Sequence, residues 1–192
     1  MSGSPLSVTT AAATRPSAQR WIIPRAVSHL GVLDAVPILE ALERCNARFA
    51  ERWWHWFFFG QPEKPERAIL ADPDAWYGGS PESMGAEPYA DFRAAIHDPA
   101  TVHGMIEDYR AGLGIDRDHD EADRRAGRRI ACPTLILWSL RDDLVLLYGD
   151  VLAVWEPWTT TRRGRGLDCG HHMAEEAPDE LASEILTFLR EP

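Results

Sequence analysis

Two short, unbroken apolar runs, set far apart in the chain, do most to limit what it can fold into. One is Leu30-Gly31-Val32-Leu33, followed by Asp34-Ala35-Val36 and closed by Pro37; the other is Thr134-Leu135-Ile136-Leu137-Trp138, introduced by Pro133 and ended by Ser139-Leu140-Arg141-Asp142-Asp143. Neither alternates apolar with polar, as a strand with one wet face would, and both are too short for a buried helix. They read as parallel strands covered on both faces. A parallel pair needs a long crossover. The residues between the runs, together with a weaker strand near Thr161–Leu167 and a closing helix over about Ala177–Arg190, complete an order of strand, helical insert, strand, helix, strand, helix. That order defines an α/β fold built on a parallel sheet.

The insert reads as all-helical. Apolar spacing at Ile38, Leu42, Cys45 and Phe49 predicts a helix over Ile38–Trp54. Asp72-Pro73-Asp74, Gly78-Gly79-Ser80-Pro81 and Asp98-Pro99 divide the rest into short helices. Asp116–Arg129 is dense in charge and is expected to be a solvated surface stretch. Leu144–Trp155 predicts a further helix after the second strand. Before the first strand the chemistry changes: Met1–Leu33 holds no Asp or Glu, and its first part is rich in Ser, Thr, Ala and Pro. Such a composition suits either an organelle transit peptide or an unrelated tail.

Charge and cysteine usage exclude several functions. Across 192 residues, 20 basic and 30 acidic side chains leave a net charge of −10, which disfavours nucleic acid or an anionic membrane surface as partner. No apolar run approaches the roughly 18 residues of a membrane span. Cys45, Cys132 and Cys169 form no CxxC pair. The expectation is therefore no disulfide framework, no metal site, no cofactor and a reducing cytoplasm.

Reactive groups in open α/β sheets gather at the carboxyl ends of the strands. Here those ends carry Asp34, then Asp142 and Asp143, then Gly170-His171-His172. An acid and a histidine so placed form the back half of a hydrolytic relay, in which the carboxylate orients the imidazole and the imidazole activates a nucleophile or water. A second feature is Trp53-Trp54-His55-Trp56-Phe57-Phe58-Phe59. Trp53, Phe57 and Phe58 are expected to be core. On a helix His55 and Phe59 share a face, with Trp56 one step round. Indole and imidazole N–H groups set in an apolar wall can bind a small anion, and Tyr109 in Asp108-Tyr109-Arg110-Ala111-Gly112 could add a phenolic O–H.

Val27–Pro37, Trp54-His55-Trp56-Phe57, Asp72–Tyr77, His97-Asp98-Pro99, Asp108–Gly112, Pro133–Trp138 and Cys169–Pro178 occur in this order. Together they resemble the C-terminal two-thirds of the haloacetate (fluoroacetate) dehalogenases, a branch of the α/β-hydrolase fold. The resemblance runs over about residues 24–190. It implies an unrelated N-terminal tail at 1–23, a hydrolase core at 24–36 and 131–192, and a helical cap at 37–130. It also implies His171 as relay base and Asp34 as its acid, with Asp142 or Asp143 as rival acids. His55, Trp56 and Tyr109 would form the halide pocket, and a halogenated short carboxylate would be the substrate. The family often pairs through its cap, which implies a homodimer for the complete enzyme.

The family's nucleophile is an Asp in a Gly-His-Asp-Arg-Gly elbow, which would fall near residue 10. The residues there are Ser7-Val8-Thr9-Thr10-Ala11-Ala12-Ala13. Gly114-Ile115-Asp116-Arg117 echoes the motif without its closing glycine or a preceding strand. The sequence therefore predicts a partial α/β-hydrolase fold that lacks its nucleophile and turns over little by itself. A sheet of three strands would also leave a long aggregation-prone edge. The rival readings are an epoxide or ester hydrolase of the same fold, for which Tyr77, Tyr89 and Tyr109 are available, and a non-catalytic pseudoenzyme or interaction fragment.

Overall fold

The computed structural model describes residues 7–10 and 27–190. Four parallel strands lie side by side in chain order: β1 (Ser7–Thr10), β2 (Leu30–Leu33), β3 (Thr134–Ser139) and β4 (Arg162–Leu167). The expectation of three strands is corrected by β1, which pairs Ser7 with Leu30 through Thr10 with Leu33 inside the segment expected to be tail. Val-Thr-Thr suits extended backbone, and its N–H and C=O groups pair with the free edge of β2. The rest of the expected tail lies outside the described residues.

Alternation along the strands separates two cores. Leu30, Val32 and Ile136 face a layer that includes Val36, Leu39, Phe49, Trp56, Leu144, Val151, Trp155 and Trp158. Leu33, Leu135, Leu137 and Leu167 face the other side, covered by Met173 of α12 (Met173–Glu176) and by Leu181 and Phe188 of α13 (Pro178–Leu189). Cover on both faces is what the unbroken apolar runs required. Gly164 of β4 lies close against β3, where a Cβ would stand 1.6 Å from the Ile136 carbonyl oxygen.

Between β2 and β3 the chain is helical, but not as one long first helix. The expected Ile38–Trp54 helix is three pieces, α1 (Ile38–Glu43), α2 (Ala47–Arg52) and α3 (Trp54–Phe59). The break comes at Asn46, whose side-chain oxygen accepts from the N–H groups of Arg48 and Phe49 and so starts a new helix. Next come α4 (Lys64–Ala71), α5 (Pro73–Trp76), α6 (Pro81–Met84), α7 (Ala86–Ile96) and α8 (Pro99–Ala111). Asp72, Ser80 and Asp98 cap α5, α6 and α8 immediately before a proline, as the Asp-Pro and Ser-Pro pairs predict. A π-helical turn at Gly112–Asp116 leads into α9 (Arg117–Arg125). The predicted solvated stretch is only half right. Asp116, Asp120 and Asp123 are buried: Asp120 Oδ2 accepts from the Leu39 N–H in the first turn of α1, 3.4 Å away, and Asp123 accepts from Arg128 Nε at 2.7 Å.

After β3, the expected Leu144–Trp155 helix is also divided, into α10 (Leu144–Tyr148) and α11 (Val151–Val154). Gly149 sits at φ 70°, a conformation glycine adopts at little cost, and Asp150 caps the second piece. Among the described residues no helix is long and apolar enough to cross a membrane.

Candidate active site

The carboxyl ends of β2, β3 and β4 converge at one point. Asp34 follows β2 at φ 48°, a left-handed conformation uncommon outside glycine. Such strain costs about 1–3 kcal/mol and persists only where surroundings enforce it. Three contacts enforce it here. The Asp34 N–H donates to the Leu137 carbonyl at 2.8 Å, Asp34 Oδ1 accepts from the Ser139 N–H at 2.8 Å, and the Trp155 indole N–H donates to the Ala35 carbonyl at 3.0 Å.

His171 meets two carboxylates on one nitrogen. Its Nδ1 lies 2.7 Å from Asp34 Oδ2 and 3.3 Å from Asp142 Oδ2. Hydrogen bonds to Asp142 and then Asp34 push the imidazole up from 6.5 to about 10, against a smaller opposing effect of burial, so it is a cation at neutral pH. The same contact holds Asp142 below its ordinary range. The Asp34 side chain is 2% exposed and His171 55%, so the acid is locked and the imidazole faces open space. Asp143 is not on the imidazole: its carboxylate stands 3.6 Å from Arg52 Nη1.

The other wall comes from the insert. Asp34, Arg52, Trp53, His55, Trp56, Tyr109, Asp142, Asp143 and His171 line one cavity of about 380 Å³. The expected relay groups and the expected halide pocket are therefore brought together. Trp56 stacks on Trp53 at 5.3 Å, and Tyr109 stands edge-on to His55, Trp56 and Phe59. Burial, helped by the His171 charge, lowers His55 and keeps it neutral, while burial raises Tyr109 to about 12 and keeps its proton on. The aromatic run packs differently from expectation. Trp56 (6%) and Phe59 (7%) are the buried members, while Phe57 is 39% exposed. A run of consecutive aromatic residues has no period from which to read its inner face.

Several participants escape a reading of the sequence. Ser139 and Trp155 hold the backbone around the relay. Glu176 Oε2 accepts from the Gly170 N–H at 2.7 Å and fixes the turn ahead of His171. Arg52 brings a cation to the cavity. A serine at a strand end, two and three residues before Arg141 and Asp142, is a common local turn former and is the one signal the sequence offers.

Among the described residues two clusters gather metal-ligating atoms within 4.8 Å: Asp34, Asp142 and His171, and Glu66, His103 and Glu107. In the first, the imidazolium already answers both carboxylates. In the second, Arg110 occupies the space, 2.6 Å from Glu66 and 2.5 Å from Glu107. Both are complete as ion-pair networks.

A parallel sheet with an acid after one strand, a histidine after the last and a helical insert folded over both defines the C-terminal part of the α/β-hydrolase fold. Among solved structures, an α/β-hydrolase candidate from Nostoc sp PCC 7120 superposes with a TM-score of 0.83 at 32% identity, over 90% of this chain and 61% of that one. An epoxide-hydrolase candidate from Pseudomonas aeruginosa superposes with a TM-score of 0.77 at 37% identity, over 86% and 58%. Within that fold, the chain is 34% identical over 175 residues to fluoroacetate dehalogenase from Burkholderia sp, covering 86% of this chain and 57% of that protein. The chain is thus an α/β-hydrolase-fold protein that resembles the haloacetate dehalogenase branch, and it spans less than two-thirds of these relatives' length. No protein-family model matches it.

Proposed function

We propose that this chain carries the relay and halide-pocket half of a haloacetate-hydrolysing site, and that by itself it binds a small halogenated carboxylate or halide without turning it over. The observation that carries this reading is the single cavity shared by Asp34, His171, His55, Trp56 and Tyr109. In a complete site of this kind, an aspartate carboxylate displaces halide from the haloacetate carbon and forms an ester. Water activated by the histidine then attacks the ester carbonyl and releases the hydroxy acid. The leaving halide is stabilised by fixed donors in a dry pocket, which suits the Trp56 indole N–H, the neutral His55 and the protonated Tyr109. Residues 37–130 act as the cap over that pocket, Asp34 as the relay acid and His171 as the base.

Without a nucleophile at hand, the same groups favour anion binding. With Nδ1 facing two carboxylates, Nε2 is the remaining N–H of the imidazolium, and Arg52, which also meets Asp143 at 3.6 Å, stands in the same lining. A cytoplasmic location suits Cys45, Cys132 and Cys169, none of which forms a disulfide. A homodimer through the cap is the assembly carried over from the resemblance. The test is calorimetric titration of fluoroacetate and chloride into the pure chain, with halide release measured on the same sample. Saturable binding that His171→Ala removes, without halide release, supports the proposal. Halide release abolished by His171→Ala would overturn the no-turnover part, and absence of binding would overturn the rest.

An epoxide-hydrolase reading draws on the Pseudomonas aeruginosa neighbour. Tyr109 lines the cavity, but Tyr77 donates its O–H to Met105 Sδ at 2.9 Å and is not among the lining residues. One cavity tyrosine favours halide over epoxide.

A further inference from the structure

We infer that Ser139 is the positioning residue of this site: its side-chain hydroxyl locks the Asp142 turn to the His171 turn and so sets whether the imidazole meets one carboxylate or two. The inference rests on the reading of His171 as the site's working group, but it is tested without ligand or turnover.

Ser139 is the last residue of β3 and is fully buried. Its Oγ donates to the Cys169 carbonyl at 2.5 Å and accepts from the N–H groups of Arg141 at 3.2 Å and Asp142 at 3.0 Å. A hydroxyl has one donor and two acceptor sites, and all three are used. One end of this bridge lies two residues before His171; the other lies on the backbone of Asp142 itself. The Ser139 main chain plays a separate part, since its N–H donates to Asp34 Oδ1. Side chain and backbone therefore govern different carboxylates, and a substitution to alanine separates them. Alanine keeps the N–H that holds Asp34 and removes the link that brings Asp142 to His171.

Other groups facing His171 are Asp34, His55, Tyr109, Arg52 and Asp143 around the cavity, with the His172 ring 5.8 Å away. None of them bonds the Ser139 hydroxyl. A buried serine that merely filled space would alter stability and leave the balance of charges on the imidazole untouched.

The experiment follows the side-chain imidazole signals by NMR across pH in the full chain as wild type, Ser139→Ala, Asp142→Asn and the double variant. Ser139→Ala is expected to lower the His171 midpoint by about 1 pH unit or more, as loss of a neighbouring carboxylate does. Asp142→Asn is expected to lower it too, and the double variant to titrate like Asp142→Asn alone, because both changes remove the same contact. His103, in the insert, serves as the control that does not move. If Ser139→Ala fails to fold, Ser139→Cys, close in size and a weaker donor, should shift the midpoint in the same direction. An unchanged midpoint in the folded serine variant, or additive shifts in the double variant, would overturn the inference. Midpoints that move as expected in a chain that binds no halide or fluoroacetate would sink the functional reading and leave this one standing.

Discussion

The two walls of the cavity are built on opposite principles. At the strand ends, Asp34, Ser139, Asp142 and His171 are joined by hydrogen bonds of 2.7 to 3.0 Å and an ion pair of 3.3 Å, and the charges of His171 and Asp142 are set by these partners. In the insert, His55, Trp56 and Tyr109 are held by ring contacts of 4.9 to 6.2 Å among themselves and with Phe59, and the protonation of His55 and Tyr109 is set mainly by burial. One wall fixes charge and direction; the other fixes shape and presents apolar surface. A site that stabilises a small anion uses both, because a donor stabilises more charge beside apolar surface than in open water.

This contrast is open to direct attack. The largest effect is expected at the packed wall. Trp56→Ala removes a buried indole and should cost about 3–5 kcal/mol of stability, read from denaturant midpoints, while leaving the His171 titration near its wild-type position. A large change in that titration would show that the walls are not independent. Asp34→Asn at the polar wall should cost less, about 1–3 kcal/mol, yet lower the His171 midpoint. The pH dependence of stability should change with it. His171 is raised from 6.5 to about 10 on folding, so its contribution is complete below about pH 6.5 and fades as pH rises toward about 10. Asp34→Asn should flatten that slope, and an unchanged slope would contradict the assignment. Asp143→Asn, whose carboxylate faces Arg52 rather than the imidazole, should leave the His171 midpoint close to wild type. Phe57→Ala, on the exposed side of α3, should cost under about 1 kcal/mol; a loss as large as that of Trp56→Ala would mean that α3 turns a different face to the core.

The polar wall is the more legible in sequence. Asp34 stands where an apolar strand ends, which is visible in one dimension, and His171 follows the Asp168-Cys169-Gly170 turn after the weaker strand β4. Asp-Pro and Ser-Pro pairs likewise announce α5, α6 and α8, since a capping side chain and a proline act locally. Most of what is not legible depends on distant partners. The break at Asn46 is the exception, a local cap on Arg48 and Phe49 set inside a run whose apolar spacing looks continuous. Asp120 reads as solvated because a charge-dense segment does not show that the first turn of α1, elsewhere in the chain, needs an acceptor, and Asp123 because the same segment does not show which acid its neighbour Arg128 pairs with. β1 carries no apolar period, and only the free edge of β2 makes a strand of it. Ser139 reads as a strand terminator, because its hydrogen bonds join turns that only the fold brings together.

If the proposed function holds, the two walls together make an anion pocket that holds its ligand without consuming it. Calorimetric titration of fluoroacetate into the pure chain, with free fluoride monitored in the same cell, tests it most directly. Saturable binding is expected, lost in His171→Ala and weakened in Trp56→Phe, with free fluoride flat throughout. Sustained fluoride release that His171→Ala abolishes, or a flat thermogram from the folded protein, would contradict it.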